Sequence, residues 1–395
     1  MASPSWLQSV VKNTSSLSLA LHTLEHRERQ RQIARLTQDS FLSSTSDSTA
    51  GSVDSSCGVP AVIRAHYSCV IGQLPANKHK NRYIDLEPYD RTRVKVPSNN
   101  KEEQGETEDG RYINANWVRE LWGGKVWIAA QAPLPNTFHA FLTLCMVPAA
   151  PLRRQQRVHT IVQLTMPVEN GRRRAHQYFS TQVGSAVVIH PEQGCDTLPS
   201  IHVRVESEEH VDNAGCILTD LRLRWYDRQQ QELQTTEEFQ VTHLLYTGWP
   251  DFGVPDENES ILNFVRLVER VNNRHLDAIA NHDPNDSPPI LIHCSAGVGR
   301  TGSLIALFSI LRAYSLLTSH RPASNPSFPP SLTQSPLGPL PSKLKNDLVV
   351  QEIDALREQR QGMVQRDEQA AWIYYALIDA FNGYKDVLSS TYFIR

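Results

Sequence analysis

Long apolar runs, paired cysteines and a marked excess of either charge are what this chain lacks, and each absence removes a class of protein. The longest apolar stretch, near residues 303–317, is interrupted by Arg312 and falls short of the roughly 20 residues that a membrane-crossing helix needs. Residues 1–20 show no basic segment followed by a long apolar core, so no secretory leader is expected. The six cysteines (57, 69, 145, 195, 216 and 294) form no Cys-x-x-Cys pair and no metal-ligand spacing. They are too sparse in 395 residues for a disulfide scaffold, which points to a reducing compartment, cytoplasmic with the nucleus as the alternative. A formal net charge of −3 gives no general pull toward nucleic acid or a membrane surface. No carboxylate–histidine cluster suited to a two-metal site is visible, and no metal is expected. What remains is an ordinary globular composition, 40% hydrophobic and 21% charged, in a length that fits one large domain with extensions or two smaller ones.

Against that plain background one stretch stands out, Ile292-His-Cys-Ser-Ala-Gly-Val-Gly-Arg-Thr-Gly302. The apolar run 289–292 reads as a short buried strand, and the residues after Gly302 as an apolar helix. Between them, Gly297, Gly299 and Gly302 and the small Ser295 and Ala296 allow a loop whose backbone N–H groups converge at a helix N-terminus, a cradle for an anion. Ser295, Ala296, Gly297, Val298 and Gly299 would supply the amides. Cys294 enters the cradle and Arg300 leaves it, so a nucleophile and a planar bidentate cation flank the same anion. The dipole, the amides and Arg300 all favour negative charge there, on sulfur as on phosphate. A built-in control is Cys216-Ile-Leu-Thr-Asp-Leu-Arg222, with the same Cys–Arg spacing, no glycine and alternating polarity; it reads as a strand with a core cysteine.

The stretch from His293 to Gly302 resembles the signature loop of the cysteine-dependent, tyrosine-specific protein phosphatases of non-receptor type. That resemblance covers roughly residues 60 to 382. It implies an α/β fold: a single phosphotyrosine-phosphatase-like domain with a highly twisted mixed sheet flanked by helices, the phosphate-binding loop lying between a strand and a helix. Cys294 would attack phosphorus, Arg300 would clamp the phosphate, Thr301 would stabilise the departing thiolate, and His293 would orient the loop from behind. No cofactor is implied.

Further motifs extend the resemblance. Asn77 to Asp90 matches the phosphotyrosine-recognition loop, with Tyr83 stacking on the substrate ring and Asp85 accepting from a substrate backbone N–H. A deep pocket walled by Tyr83 would exclude the shorter phosphoserine. Residues 109–116 and 127–134 resemble structural motifs; Arg111 stands where the family usually has aspartate, which puts one local hydrogen bond in doubt. In 169–179, Glu169 corresponds to the acid that holds the signature arginine, and Arg174 stands at the family's lysine; Ala175 and Phe179 replace its usual cysteine and tryptophan.

The second strong motif is Trp249-Pro-Asp251-Phe252-Gly253-Val-Pro255. Gly248, Pro250, Gly253 and Pro255 bracket an acid on a loop able to hinge. A phenolate leaving group, whose conjugate acid has a pKa of about 10, departs more readily with a positioned proton donor, and Asp251 is the candidate. Phe252 is assigned to substrate contact and Trp249 to support. Near the end, Arg357, Arg360, Gly362, Gln365 and Gln369 match the family's last motif, Gln365 placing the water for the second step and Gln369 supporting it; Gln361 sits at a variable, specificity-tuning position.

The expected organisation is an extension (1–56) and a catalytic domain (57–395). The extension comprises a helix around 21–36, read as packing on the domain rather than as a docking element, and a Ser/Thr-rich flexible linker from Asp39 to Ser56. The Pro- and Ser-rich insert 319–346 is read as disordered surface, with a Pro-binding module or a kinase acting at Ser335-Pro336 as candidate partners beside the phosphotyrosine proteins. Two other functions compete. A phosphotyrosine-binding protein without catalysis would be expected to have lost Cys294, Asp251 or Arg300, and all three are present. A phosphatase for phosphoserine or inositol lipids is disfavoured by the Tyr83 loop and by the lack of further basic residues in the signature loop.

Overall fold

A computed structural model describes residues 2–44, 58–97, 110–149, 157–195, 197–227, 232–233, 237–250, 253–277, 288–317 and 334–390. The strands, in chain order, are β1 (Arg93–Val96), β2 (Arg111–Arg119), β3 (Val126–Ala130), β4 (Thr160–Gln163), β5 (Val168–Glu169), β6 (Arg172–Arg173), β7 (Ala186–Ile189), β8 (Ser200–Val211), β9 (Cys216–Asp227), β10 (Glu232–Leu233), β11 (Phe239–Tyr246) and β12 (Ile290–His293). Among the described residues they build one ten-stranded sheet in the order β1-β2-β3-β12-β4-β11-β9-β8-β7, with β10 on β9, and a separate β5–β6 ribbon. The middle of the sheet is parallel: β12 runs with β3 and β4, and β4 with β11. The flanks are antiparallel, β1–β2–β3 on one side and β11–β9–β8–β7 on the other.

The helices are α1 (Ser5–Lys12), α2 (Thr14–Ser44), three short ones, α3 (Ala61–His66), α4 (Val70–Gln73) and α5 (Pro75–Lys78), then α6 (Phe138–Thr143), α7 (Asn258–Asp277), α8 (Gly299–Ala313), α9 (Leu348–Gln359) and α10 (Asp367–Ser390). Every residue of β12 is buried, as expected of a central parallel strand covered on both faces, and that is why it reads as an unbroken apolar run. One face of the sheet carries the larger core, where Ile292 and Val162 meet Phe264 of α7, Leu304 and Phe308 of α8, Ile353 of α9 and Ile373 of α10. The other face packs Ile128, Ile161 and Leu291 against Phe141 of α6 and Tyr178. The chain therefore leaves β12 at the carboxyl end of the parallel strands and turns at once into α8, the place where open α/β sheets hold ligands.

Two expectations need correction. The helix expected around 21–36 extends over Thr14–Ser44, past the expected linker start at Asp39; residues 45–56 lie outside the described residues. Its buried stripe, Ala20, Leu24, Arg27, Arg31 and Ala34, is spaced as a helix face but includes two arginines, so the sequence looked polar all round. These arginines are neutralised on α9: Arg27 Nε donates to Asp354 at 2.8 Å, and Arg31 bonds to Glu358 at 2.7 Å and to Asp354. The insert 319–346 was expected to be disordered, yet residues 334–346 are docked. Leu344 is buried, Ser335 Oγ donates to Glu358 at 2.8 Å, and the Gly338 carbonyl accepts from Arg27 at 3.0 Å. The physical reason is shared, since α9 offers a buried acidic edge that proline content does not prevent the chain from covering. Residues 318–333 lie outside the described set.

Candidate active site

The signature loop is shaped by what its carbonyls do. His293 O accepts from Leu164 N–H, Cys294 O from the His293 ring, Ser295 O from Ala132 N–H, and Ala296 O and Gly297 O from the Arg360 guanidinium. Val298 O accepts from the N–H groups of Gly302 and Val364, and Gly299 O from Ser303 Oγ. Each carbonyl from His293 to Gly299 is thus held from outside. In a trans peptide the N–H lies opposite the carbonyl, so the following amides face the other way, toward the inside of the loop. Gly297 permits this at φ +72°, where a Cβ would also lie 1.9 Å from the Ala130 carbonyl oxygen. Cys294 is 94% buried, and the Gly297 N–H donates to its Sγ at 3.2 Å.

Arg300, in the first turn of α8, is fixed by a buried two-point pair: Nη1 to Glu169 Oε1 at 2.6 Å and Nη2 to Glu169 Oε2 at 3.0 Å. Its Nη1 also donates to the Leu164 carbonyl at 2.8 Å and its Nη2 to the Pro250 carbonyl at 2.9 Å. Glu169 is itself seated by Thr165 Oγ1 and Met166 N–H. Arg174 approaches the same carboxylate at 4.0 Å. The Pro250 contact ties the Trp-Pro-Asp segment to the Arg300 guanidinium. Trp249 is buried, with its Nε1 donating to Gly253 O at 3.2 Å and its ring 5.2 Å from that of Trp372. Asp251 and Phe252, between these two anchors, lie outside the described residues.

His293 is wholly buried. Its Nδ1 lies 3.1 Å from Cys294 O, which can only accept, so that nitrogen carries the hydrogen and Nε2 takes the Tyr178 hydroxyl at 3.3 Å. Burial pushes its pKa down to about 4, and the ring is neutral near pH 7. His243 next to it falls further, to about 3, for the same reason. Thr301 is buried and its hydroxyl has no hydrogen-bond partner.

Ser295 Oγ of the signature loop donates to the Arg174 carbonyl, so the hydroxyl of Tyr83, in the 77–90 loop and 2.8 Å away, donates to Ser295. Tyr83 is thereby brought to the edge of the signature loop. Asp85 is exposed beside it, and Ile84 between them is 92% exposed. Arg82 anchors the loop from below on the carbonyls of Ala132 and Pro133. Gln369 packs against Gly299, where an added Cβ would lie 3.0 Å from its amide. Gln365 is exposed, one residue after the Val364 that bonds the signature loop.

Two groups carry more than their sequence suggested. Arg360, read only as part of a motif, is wholly buried without a carboxylate and also donates to Asn116 and Asn114 on β2; burial lowers its pKa to about 10. Arg111, a departure from the family pattern, makes a different network from the one placed in doubt. It donates to Pro97 O, Thr143 Oγ1 and Glu192. Among the described residues no group of three or more His, Cys, Asp or Glu is placed to hold a metal, and no helix is long and apolar enough to cross a membrane.

A mixed sheet that delivers a buried cysteine, an amide-lined loop and a clamped arginine at the start of a helix defines a cysteine-based phosphatase scaffold. The family model for protein-tyrosine phosphatase matches residues 77–319, and the chain belongs to that family. It is 34% identical over 244 residues to Tyrosine-protein phosphatase 99A of Drosophila melanogaster, covering 62% of this chain and 16% of that protein. To human Tyrosine-protein phosphatase non-receptor type 14 it is 29% identical over 309 residues, 77% of this chain and 21% of that protein. The structure is similar to the catalytic domain of human protein tyrosine phosphatase non-receptor type 18, with a TM-score of 0.55 at 27% identity, covering 80% of this chain and 88% of that one. The chain thus spans a minor part of these curated relatives' length.

Proposed function

We propose that the protein hydrolyses phosphotyrosine in proteins through a cysteinyl-phosphate intermediate. The observation that carries this reading is the outward anchoring of every carbonyl from His293 to Gly299, which turns the amides onto the space between Cys294 and Arg300. An oxyanion entering there meets donors already oriented, so little reorganisation opposes the transition state.

In the first step Cys294 sulfur attacks phosphorus, the phosphorus–oxygen bond to tyrosine breaks, and Asp251 protonates the departing phenolate. Arg300 and the loop amides hold the three equatorial oxygens. In the second, a water placed by Gln365 and deprotonated by Asp251 displaces the thiolate, releasing inorganic phosphate. Gln369 supports Gln365, and the unpartnered Thr301 hydroxyl is the donor for the returning thiolate. Neutral His293 supports the loop by holding the Cys294 carbonyl, while Tyr83 and Asp85 select the substrate ring and backbone. Phe252 and Trp249 belong to the acid-bearing loop, and Arg174 backs the Glu169–Arg300 pair.

The same reading places the catalytic domain in 57–395, its extension docked on α9, in the cytoplasm or nucleus with phosphotyrosine proteins as partners. A Pro-binding module or a kinase at 319–346 is a further partner class, although the bonding of Ser335 to Glu358 and Arg27 leaves its hydroxyl engaged.

The test is phosphate release from matched phosphotyrosine and phosphoserine peptides in EDTA with reductant, wild type beside Cys294→Ser. Turnover of phosphotyrosine that vanishes in the variant, with little on phosphoserine, is expected. Equal turnover of both refutes selection by Tyr83. Tight phosphotyrosine binding without turnover makes the protein a reader of the modification.

A further inference from the structure

The signature loop is contacted from behind by residues 363 and 364, which lead directly to Gln365. Val364 adopts φ +55°, a left-handed conformation that a β-branched residue rarely takes, so something must hold it there. On one side its N–H donates to Val298 O of the signature loop at 3.2 Å, and its backbone lies so close to α8 that a Cβ on Gly302 would meet the Val364 nitrogen at 2.5 Å. On the other side stands Arg357, in the last turn of α9. Its Nε donates to Met363 O at 2.8 Å and its Nη2 to Val364 O at 2.6 Å. The third point of the fork, Nη1, donates to Leu24 O of α2 at 2.9 Å. The guanidinium is buried, and all three of these acceptors are backbone carbonyls.

From this geometry we infer that Arg357 is a positioning residue for the hydrolytic half-reaction, and that α2 completes its seat. The inference rests on the cysteinyl-phosphate reading above. One end of the guanidinium fixes the two peptide units before Gln365 in their left-handed turn. The other is aimed by a carbonyl that exists only while α2 is docked, and α2 is kept in register by Arg27 and Arg31 on Asp354 and Glu358. Released from Arg357, Val364 relaxes toward ordinary φ and carries the Gln365 side chain with it. The step affected is the one in which water oxygen bonds to phosphorus, the sulfur–phosphorus bond breaks, and the water proton passes to Asp251. The first step does not use Gln365, and Val298 O keeps its shorter bond from Gly302 N–H, so the loop amides stay in place and that step proceeds with its usual rate. Residues before position 45 thereby act on the second step alone, without touching substrate.

The experiment is rapid mixing of the full chain with p-nitrophenyl phosphate, following the burst of p-nitrophenol and the steady state, together with acid-trapped phosphoenzyme. In Arg357→Ala the burst rate should be preserved while turnover falls roughly tenfold and trapped phosphoenzyme rises; Arg357→Lys, which can reach one carbonyl, should recover part of the loss. The double variant Arg27→Ala/Arg31→Ala, which unties α2 and leaves Arg357 intact, should show the same split in smaller measure, and it decides the matter if Arg357→Ala does not fold. Burst and turnover falling together, or turnover unchanged in the double variant, overturns the assignment. A wild-type chain that yields no trappable phosphoenzyme instead refutes the cysteinyl-phosphate reading, and the positioning role with it.

Discussion

At the scale of single residues, the aim of Arg300 is set before any substrate arrives, with Glu169 facing both of its terminal nitrogens. Glu169→Gln keeps the volume but turns an N–H donor toward a guanidinium that can only donate. The fork should lose its fixed aim, and kcat for a phosphotyrosine peptide should fall about 10- to 100-fold, read from steady-state kinetics against the wild type. Unchanged kcat would show that the carboxylate does not set the orientation. Cys294 and Arg300 were legible in the sequence because loop, strand and helix are contiguous, so chemistry and geometry share one short window. Glu169 was legible only through resemblance to a family. The role of Arg360 was not legible, since its work is to hold carbonyls of residues 63 and 64 positions away, and a donor aimed at backbone leaves no side-chain pattern. Val364 likewise gives no warning: valine is the last residue from which one would read a left-handed turn, which costs about 1–3 kcal/mol and persists only where neighbours enforce it.

Between elements, the junction of α9 with the turn after β2 depends on a buried acid. Glu352 accepts from Ser309 Oγ and from the N–H groups of Leu121 and Trp122, and burial pushes its pKa up to about 8 despite those bonds. Near pH 7 it is mainly protonated in the folded chain and ionised in the unfolded one. The sign follows: the folded state binds the extra proton, so this group's contribution is complete below the unfolded value and is lost as pH rises from about 4.5 toward 8. The slope approaches one proton, about 1.4 kcal/mol per pH unit. Urea unfolding of wild type and Glu352→Gln between pH 5 and pH 8 should show a stability difference that shifts in favour of the variant as pH rises. A constant difference would mean that Glu352 is already ionised in the folded state. β12 and α8 were readable from the apolar runs on either side of the glycine-rich loop, and β9 from its alternation. The docked half of the Pro-rich insert was not, because composition reports what a segment cannot bury and is silent on what a neighbouring acidic edge can recruit.

Across the whole molecule, the extension and the catalytic domain share a buried ionic network beside their other contacts. Burial alone would raise the Glu358 carboxyl, but hydrogen bonding with His66 and the charge of Arg31 outweigh it and hold its pKa down at about 2. A shortened chain beginning at residue 58 would leave Glu358 and Asp354 without Arg27 and Arg31. Stranding one member of a buried pair costs about 3–5 kcal/mol, so its melting temperature should fall by at least about 5 °C. A thermal melt within a degree of the full chain's would show that α2 is dispensable to the fold. The same network has a consequence in time. Arg27 and Asp354 are 327 positions apart, so α2 leaves the ribosome long before its partner exists. At about 5–20 residues per second, the helix waits roughly 15 to 65 s with two arginines meant for burial still in water. A helix made this far ahead of its partner is therefore among the last to find its place, and the wait ends only when α9 emerges.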